Sequence, residues 1–76
     1  MENELRLSKH ARMRMAERNI SEEDVRYVLR NYFLSREADE PGKTVYEADL
    51  GRIICVVIVD DSDPTFVVTV FSRRKE

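Results

Sequence analysis

His10, Arg14 and Arg18 stand four residues apart, a spacing that places their side chains on one stripe of an α-helix. We call these three residues the basic stripe. Like charges at this spacing destabilise an isolated helix by about 0.2–0.5 kcal/mol per pair, so a helix built only for its own stability would carry an acid at position 14 or 18. Glu17 can balance one arginine at three-residue spacing. The remaining positive charge predicts a counter-charge elsewhere, either an acidic patch of the fold or a bound anion such as phosphate.

These side chains suit the cleavage of RNA. Attack by a 2′-hydroxyl needs a base for that hydroxyl, cations for the charge that grows on the phosphate, and an acid for the leaving oxygen. The basic stripe covers much of this requirement, and Thr69 and Arg73 near the other end of the chain add a hydroxyl and a further cation. This interpretation predicts a metal-independent endoribonuclease with catalytic residues His10, Arg14, Arg18 and Thr69 and binding residues Lys9 and Arg73.

Two other interpretations of the basic stripe remain open. In one, a non-catalytic binding module docks an acidic protein partner or nucleic acid through the stripe. In the other, the stripe is structural: His10 caps or packs, while Arg14 and Arg18 pair with acids of a sheet, and structural ion pairs are common. The interpretations differ in whether further polar groups converge on His10 in the folded chain.

The composition bounds the class of protein. A chain of 76 residues that is 42% hydrophobic and 37% charged predicts one globular domain, residues 1–76. A single cysteine excludes an internal disulfide, and one cysteine with one histidine is too few for the usual zinc sets. We therefore expect a cytoplasmic protein with no metal and no cofactor. The longest apolar run, residues 53–59, is far shorter than the ~18 residues of a membrane span, so no membrane association is expected.

Charge is distributed unevenly along the chain. The net charge of −2 argues against non-specific coating of nucleic acid, which depends on phosphate contacts. Residues 9–18 contain four Lys/Arg and one acid, whereas residues 37–63 contain eight acids and two Lys/Arg. The sequence therefore predicts a basic helix and an acidic sheet region.

Local signals predict the helices. Ser8 can cap a first helix that runs to about Asn19, with small or flexible apolar side chains that predict only partial burial. Ser21 and Asp24 have capping-box spacing at the start of a second helix. Its apolar positions follow the helical period and predict a core-facing stripe, namely Val25, Val28, Leu29 and Tyr32.

Period-two patterns predict strands after the second helix. Residues 34–39 and 44–50 flank a Pro-Gly turn as a hairpin, and residues 52–60 and 65–72 follow. Ile53–Val59 is apolar on both faces and predicts a central strand in which Cys55 is buried and structural. We interpret Arg52 as blunting the end of that strand, and Leu5 to Leu7 as a brief extended segment. The expected fold class is α+β, with two N-terminal helices packed on an antiparallel meander sheet of three or four strands.

The segment from Ser8 to Val25 resembles the opening of a bacterial family catalogued as domain of unknown function 4258. The family pattern S-x-H-A-x-x-R-M-x-x-R-x-I matches residues 8–20, and the V-V-T-V type of final strand matches residues 67–70. The resemblance covers nearly the whole chain. Its specificity is concentrated in the first third.

The resemblance implies a place in the fold group of barnase and the RelE and ParE toxins, with the family's recurrent polar groups at His10, Arg14, Arg18 and Thr69. It implies a toxin-like domain whose partners are RNA or the ribosome, with an antitoxin-like protein as a further partner. ParE-like relatives act on protein targets, and a toxin-fold relative can keep a purely structural role, so the resemblance supports fold more than activity.

Overall fold

The computed structural model describes residues 4–74 as two helices packed on one sheet. The elements in chain order are β1 (Leu5–Leu7), α1 (Lys9–Arg18), α2 (Glu22–Asn31), β2 (Leu34–Glu37), β3 (Lys43–Asp49), β4 (Ile53–Val59) and β5 (Thr65–Arg73).

Both predicted helix starts are confirmed. The Ser8 hydroxyl accepts a hydrogen bond from Ala11 N at 2.9 Å. At α2, Ser21 and Asp24 form a reciprocal capping box, with both bonds at 3.0 Å. These side chains satisfy amide groups that have no partner within the first turn, so each helix begins at its serine.

The predicted sheet is wrong in strand number and in direction. The sheet has five strands in the order β1-β5-β4-β3-β2, and it is mixed because β1 pairs with β5 in parallel through Leu5 and Thr65. The remaining neighbours are antiparallel, as expected for consecutive hairpins. Hairpin signals are local in sequence, whereas the β1–β5 pairing joins residues about sixty positions apart and leaves no such signal.

The central position of β4 is confirmed, and its side chains fill two apolar clusters. The helix face, which α1 and α2 cover, includes Ile54 and Val56. The open face, to which no helix residue in the described chain contributes, includes Ile53, Cys55 and Val57. Strand side chains alternate between these faces, so successive residues from Ile53 to Ile58 belong to the two clusters in turn.

The predicted core-facing stripe of α2 is confirmed for three of its four residues. Val25 and Val28 are fully buried, and Leu29 packs against the same cluster. Tyr32 is 46% exposed, because it follows the helix as the C-cap with extended backbone angles (φ −63°, ψ 146°). Its ring lies 4.7 Å from that of Tyr46, centroid to centroid. Within residues 4–74, α1 and α2 have ten residues each and are too short to span a bilayer.

The burial of Cys55 in β4 can be tested by thiol labelling and by substitution. Its side chain is 0% exposed, and burial, aided by the neighbouring Glu47 carboxylate, raises the pKa of the thiol. We expect a thiol reagent to label the native protein orders of magnitude more slowly than the denatured protein. Cys55→Ala should lower the free energy of unfolding by about 1 kcal/mol, measured by denaturant titration. Labelling of native protein at the rate of a free thiol would contradict the burial.

Candidate functional site

The helix α1 is fixed to the rest of the fold at both ends. At its start, Ser8 N donates to Val67 O at 3.0 Å and Ser8 Oγ donates to Val68 O at 2.6 Å. At its end, Arg52 Nη2 donates to Asn19 O at 2.9 Å. Asn19 ends the helix in the left-handed region (φ 56°), where asparagine is tolerated. Arg52 therefore binds the helix terminus, a role that our interpretation of it as a strand-blunting residue missed.

The basic stripe lies on the surface of this anchored helix. His10 and Arg18 are exposed, and the Arg14 side chain is 40% exposed. Arg14 Nε lies 3.5 Å from His10 Nε2, and Arg14 Nη1 lies 3.2 Å from Glu17 Oε1. The predicted stripe is therefore assembled by helical spacing, and Lys9 lies beside it as the exposed first residue of α1.

The counter-charge of the basic stripe is incomplete in the described part of the chain. Glu17 is the acid that pairs with Arg14, and Arg18 has no ion pair among residues 4–74. Acids of the sheet region contact other groups: Glu40, between β2 and β3, pairs with Lys43, and Glu47 of β3 pairs with two arginines of the sheet. The predicted pairing of the stripe with acids of the sheet is therefore not observed.

Thr69 and Arg73 lie on the other face of the sheet from α1. Their cross-strand partners on β4 are Val57 and Ile53, whose side chains form the open face. Directly paired residues of an antiparallel ladder share a face, whereas α1 packs on the helix face through Ala11. The structure thus brings His10, Arg14, Arg18 and Lys9 together and separates them from Thr69 and Arg73.

Arg73 belongs instead to a second polar cluster, which we call the Glu47 cluster (Arg36, Glu47 and Arg73). Arg73 Nη2 lies 2.7 Å from Glu47 Oε1, and Arg36 Nε lies 3.2 Å from Glu47 Oε2. Glu47 is only 2% exposed, while both arginine side chains are about half exposed. One buried carboxylate therefore positions two guanidinium groups at the surface of the open face.

The ionisation of Glu47 follows from this geometry. Burial raises the pKa of the Glu47 carboxyl, but hydrogen bonds from Arg73 and Arg36 outweigh burial and leave the pKa below its ordinary value. The same bond to Glu47 raises the pKa of Arg73. A carboxylate with both oxygens occupied and little access to solvent is poorly suited to act as a general base. Its evident role is to hold the two arginines.

Sequence reasoning missed the Glu47 cluster, although one signal was present. Glu47 shares the period-two face of Val45 in β3 and lies opposite Cys55 in the apolar strand β4. A charged residue at the centre of a buried strand requires partners, because an unpaired buried charge is costly. The sequence identifies that need but not the partners, which come from β2 and β5.

A surface depression on α2 is lined by Glu23, Arg26, Tyr27, Arg30 and Asn31. All five residues belong to one helix. A site of chemistry normally gathers groups from several elements, so this depression does not extend the basic stripe or the Glu47 cluster.

The Glu47 cluster predicts a pH-dependent loss of stability in Glu47→Gln. We expect the free energy of unfolding to fall by about 1–3 kcal/mol at neutral pH, less than for a fully buried pair because both arginines are partly solvated. The folded-state pKa of Glu47 is lowered, so its stabilisation is present above the unfolded pKa of about 4.3 and is lost as pH falls through the folded value. Denaturant titrations of both proteins across pH measure the difference.

Glu40→Gln is the matched control, because Glu40 is an exposed acid whose ion pair with Lys43 contributes little. Equal losses in both variants, or a loss for Glu47→Gln that does not shrink below pH ~4, would contradict the assigned role of Glu47.

One family model matches most of the chain. A family model described as Domain of unknown function (DUF4258) matches residues 7–72, which includes α1, the sheet strands β2 to β4 and nearly all of β5. No curated protein and no solved structure matches the chain, so the resemblance to the barnase, RelE and ParE fold group stays an expectation. Because the family model matches residues 7–72 of the 76-residue chain, the predicted resemblance is confirmed and the chain belongs to the DUF4258 family.

Proposed function

We propose that this protein is a non-catalytic binding module that docks single-stranded RNA on α1 through the basic stripe. The observation that carries the proposal is the incomplete counter-charge: within residues 4–74, Glu17 is the acid that pairs with the stripe. Of the two sources of counter-charge that the sequence leaves open, an acidic patch of the fold or a bound anion, the contacts favour the anion.

The spacing of the stripe supports a ligand with regularly repeated negative charge. Successive members rise about 6 Å along the helix, since each residue adds about 1.5 Å. A nucleic-acid strand carries one charge per nucleotide at regular intervals. Arginine presents a planar fork of donors that binds phosphate in bidentate fashion; Arg18 is exposed, and the Arg14 side chain is 40% exposed.

Binding is favoured over cleavage because of what surrounds His10. Cleavage requires a second proton-transfer group near the base, and in the described chain the side chain that hydrogen-bonds to His10 is that of Arg14. Thr69, the hydroxyl predicted for the site, lies on the open face. A toxin-like nuclease with this stripe would need a catalytic group from a partner or from the substrate.

The stripe predicts a measurable dependence of RNA affinity on salt. We expect Arg14→Gln and Arg18→Gln each to weaken binding and to reduce the slope of log K against log salt by about 0.7, the value for one lost contact to a single strand. Fluorescence anisotropy with a labelled single-stranded RNA measures both quantities. Melting temperatures should change little, because these side chains bury little apolar surface.

Arg30→Gln is the matched control, since Arg30 is an exposed arginine on α2 and its loss changes net charge equally. An unchanged slope in the stripe variants, or an equal change in Arg30→Gln, would contradict the proposal. Competition by an acidic peptide as effective as RNA would identify a protein partner instead. RNA cleavage that falls by about 10²–10⁴ in His10→Ala would establish catalysis and overturn the non-catalytic assignment.

A further inference from the structure

Three consecutive large apolar side chains are exposed where the chain enters β2. Tyr32, Phe33 and Leu34 are 46%, 59% and 41% exposed. Tyr32 and Phe33 precede β2 and Leu34 begins it, and β2 is the terminal strand of the sheet, with β3 as its one neighbour in the described chain. An exposed apolar cluster of this kind beside a sheet edge indicates an interaction surface.

The backbone of β2 offers hydrogen-bonding groups at this edge. Ala38 N donates to Lys43 O at 3.0 Å, which directs the backbone of the even-numbered residues toward β3. Because antiparallel hydrogen bonding alternates along a strand, the N–H and C=O groups of Ser35 and Glu37 point away from the sheet. All four residues of β2 are exposed.

The usual protections of a free edge are weak in β2. Neither proline nor lysine occurs within Leu34–Glu37. Its one cation, Arg36, is directed to Glu47 on the open face and does not guard the edge. An exposed strand edge beside exposed apolar residues is a template for pairing with another strand.

We propose that this edge pairs with the same edge of a second copy of the chain, which joins two five-stranded sheets through an antiparallel β2–β2 contact. The two-fold axis passes through Ser35. In this register Leu34 lies opposite Arg36 of the partner subunit, and Phe33 lies opposite Glu37 of the partner subunit. No residue of either strand then lies opposite a residue of like charge, so two identical edges pair about the axis without charge repulsion between facing residues.

Other registers that keep the two open faces on one side are less favourable. An axis through Arg36 places two arginines opposite each other, and an axis through Glu37 does the same with two glutamates. An axis through Leu34 avoids like charges but pairs Ser35 with Phe33. Phe33 N already donates to Glu47 O at 2.9 Å and cannot also donate across the axis. The register centred on Leu34 therefore forms fewer hydrogen bonds between the two strands than the register centred on Ser35.

The register is tested by a disulfide across the axis. In a hydrogen-bonded antiparallel pair the Cα atoms are about 5.5 Å apart, within the range of about 4.4–6.8 Å that a disulfide spans. We therefore expect Ser35→Cys to oxidise to a covalent dimer. Glu37→Cys is the matched control, because its two copies would lie about 13 Å apart at about 3.3 Å per residue. Native Cys55 is buried in both variants.

Light scattering after size exclusion measures the uncrosslinked protein. Wild type should shift from monomer to dimer as concentration rises, and Phe33→Ser should raise the dissociation constant about tenfold or more. Met13→Ser, which removes an exposed apolar side chain from α1, should leave it unchanged. A wild type that stays monomeric, a dimer indifferent to Phe33→Ser, or crosslinking of Glu37→Cys as fast as Ser35→Cys would each overturn the proposal.

Discussion

Ser8 makes the contact on which the arrangement of the helices depends. Its amide and its hydroxyl donate to consecutive carbonyls of β5, Val67 and Val68, while the same hydroxyl accepts from Ala11 and starts α1. Each such bond contributes about 0.5–1.5 kcal/mol. Their joint effect is positional: one side chain fixes where the helix begins and which strand it lies on. Together with the Arg52 bond at the other end of α1, this attachment sets the direction of the basic stripe.

Local chemistry accounts for the parts of the fold that the sequence predicted. A helix cap, a capping box and an apolar run can each be recognised from a few neighbouring residues, as Ser8, Ser21 and Ile53–Val59 show. The parallel pairing of β1 with β5 could not be recognised from the sequence, because no turn joins the two strands. Tyr32 was misassigned since the apolar period continues one position beyond the helix end at Asn31.

The candidate site was predicted in part for a similar reason. His10, Arg14 and Arg18 are neighbours by helical geometry alone, so their grouping required no tertiary information. The faces of Thr69 and Arg73 depend on the ladder, and the register shifts between Val57 and Ile58 opposite β5. An irregularity of this kind changes which residues share a face, and it has no signature in the hydrophobic pattern. The sequence therefore could not show that Arg73 contacts Glu47 on the open face, while Arg14 and Arg18 lie on α1.

The position of β5 between β1 and β4 has a consequence for how the chain reaches its native state. During synthesis β1, α1 and α2 are made before the strand that receives Ser8, so the helical layer has no completed sheet to pack on. Folding must then close a loop of about sixty residues, and such distant contacts slow folding relative to helical bundles. Until β5 arrives, the apolar side of α2 stays open to chaperones and to other nascent chains.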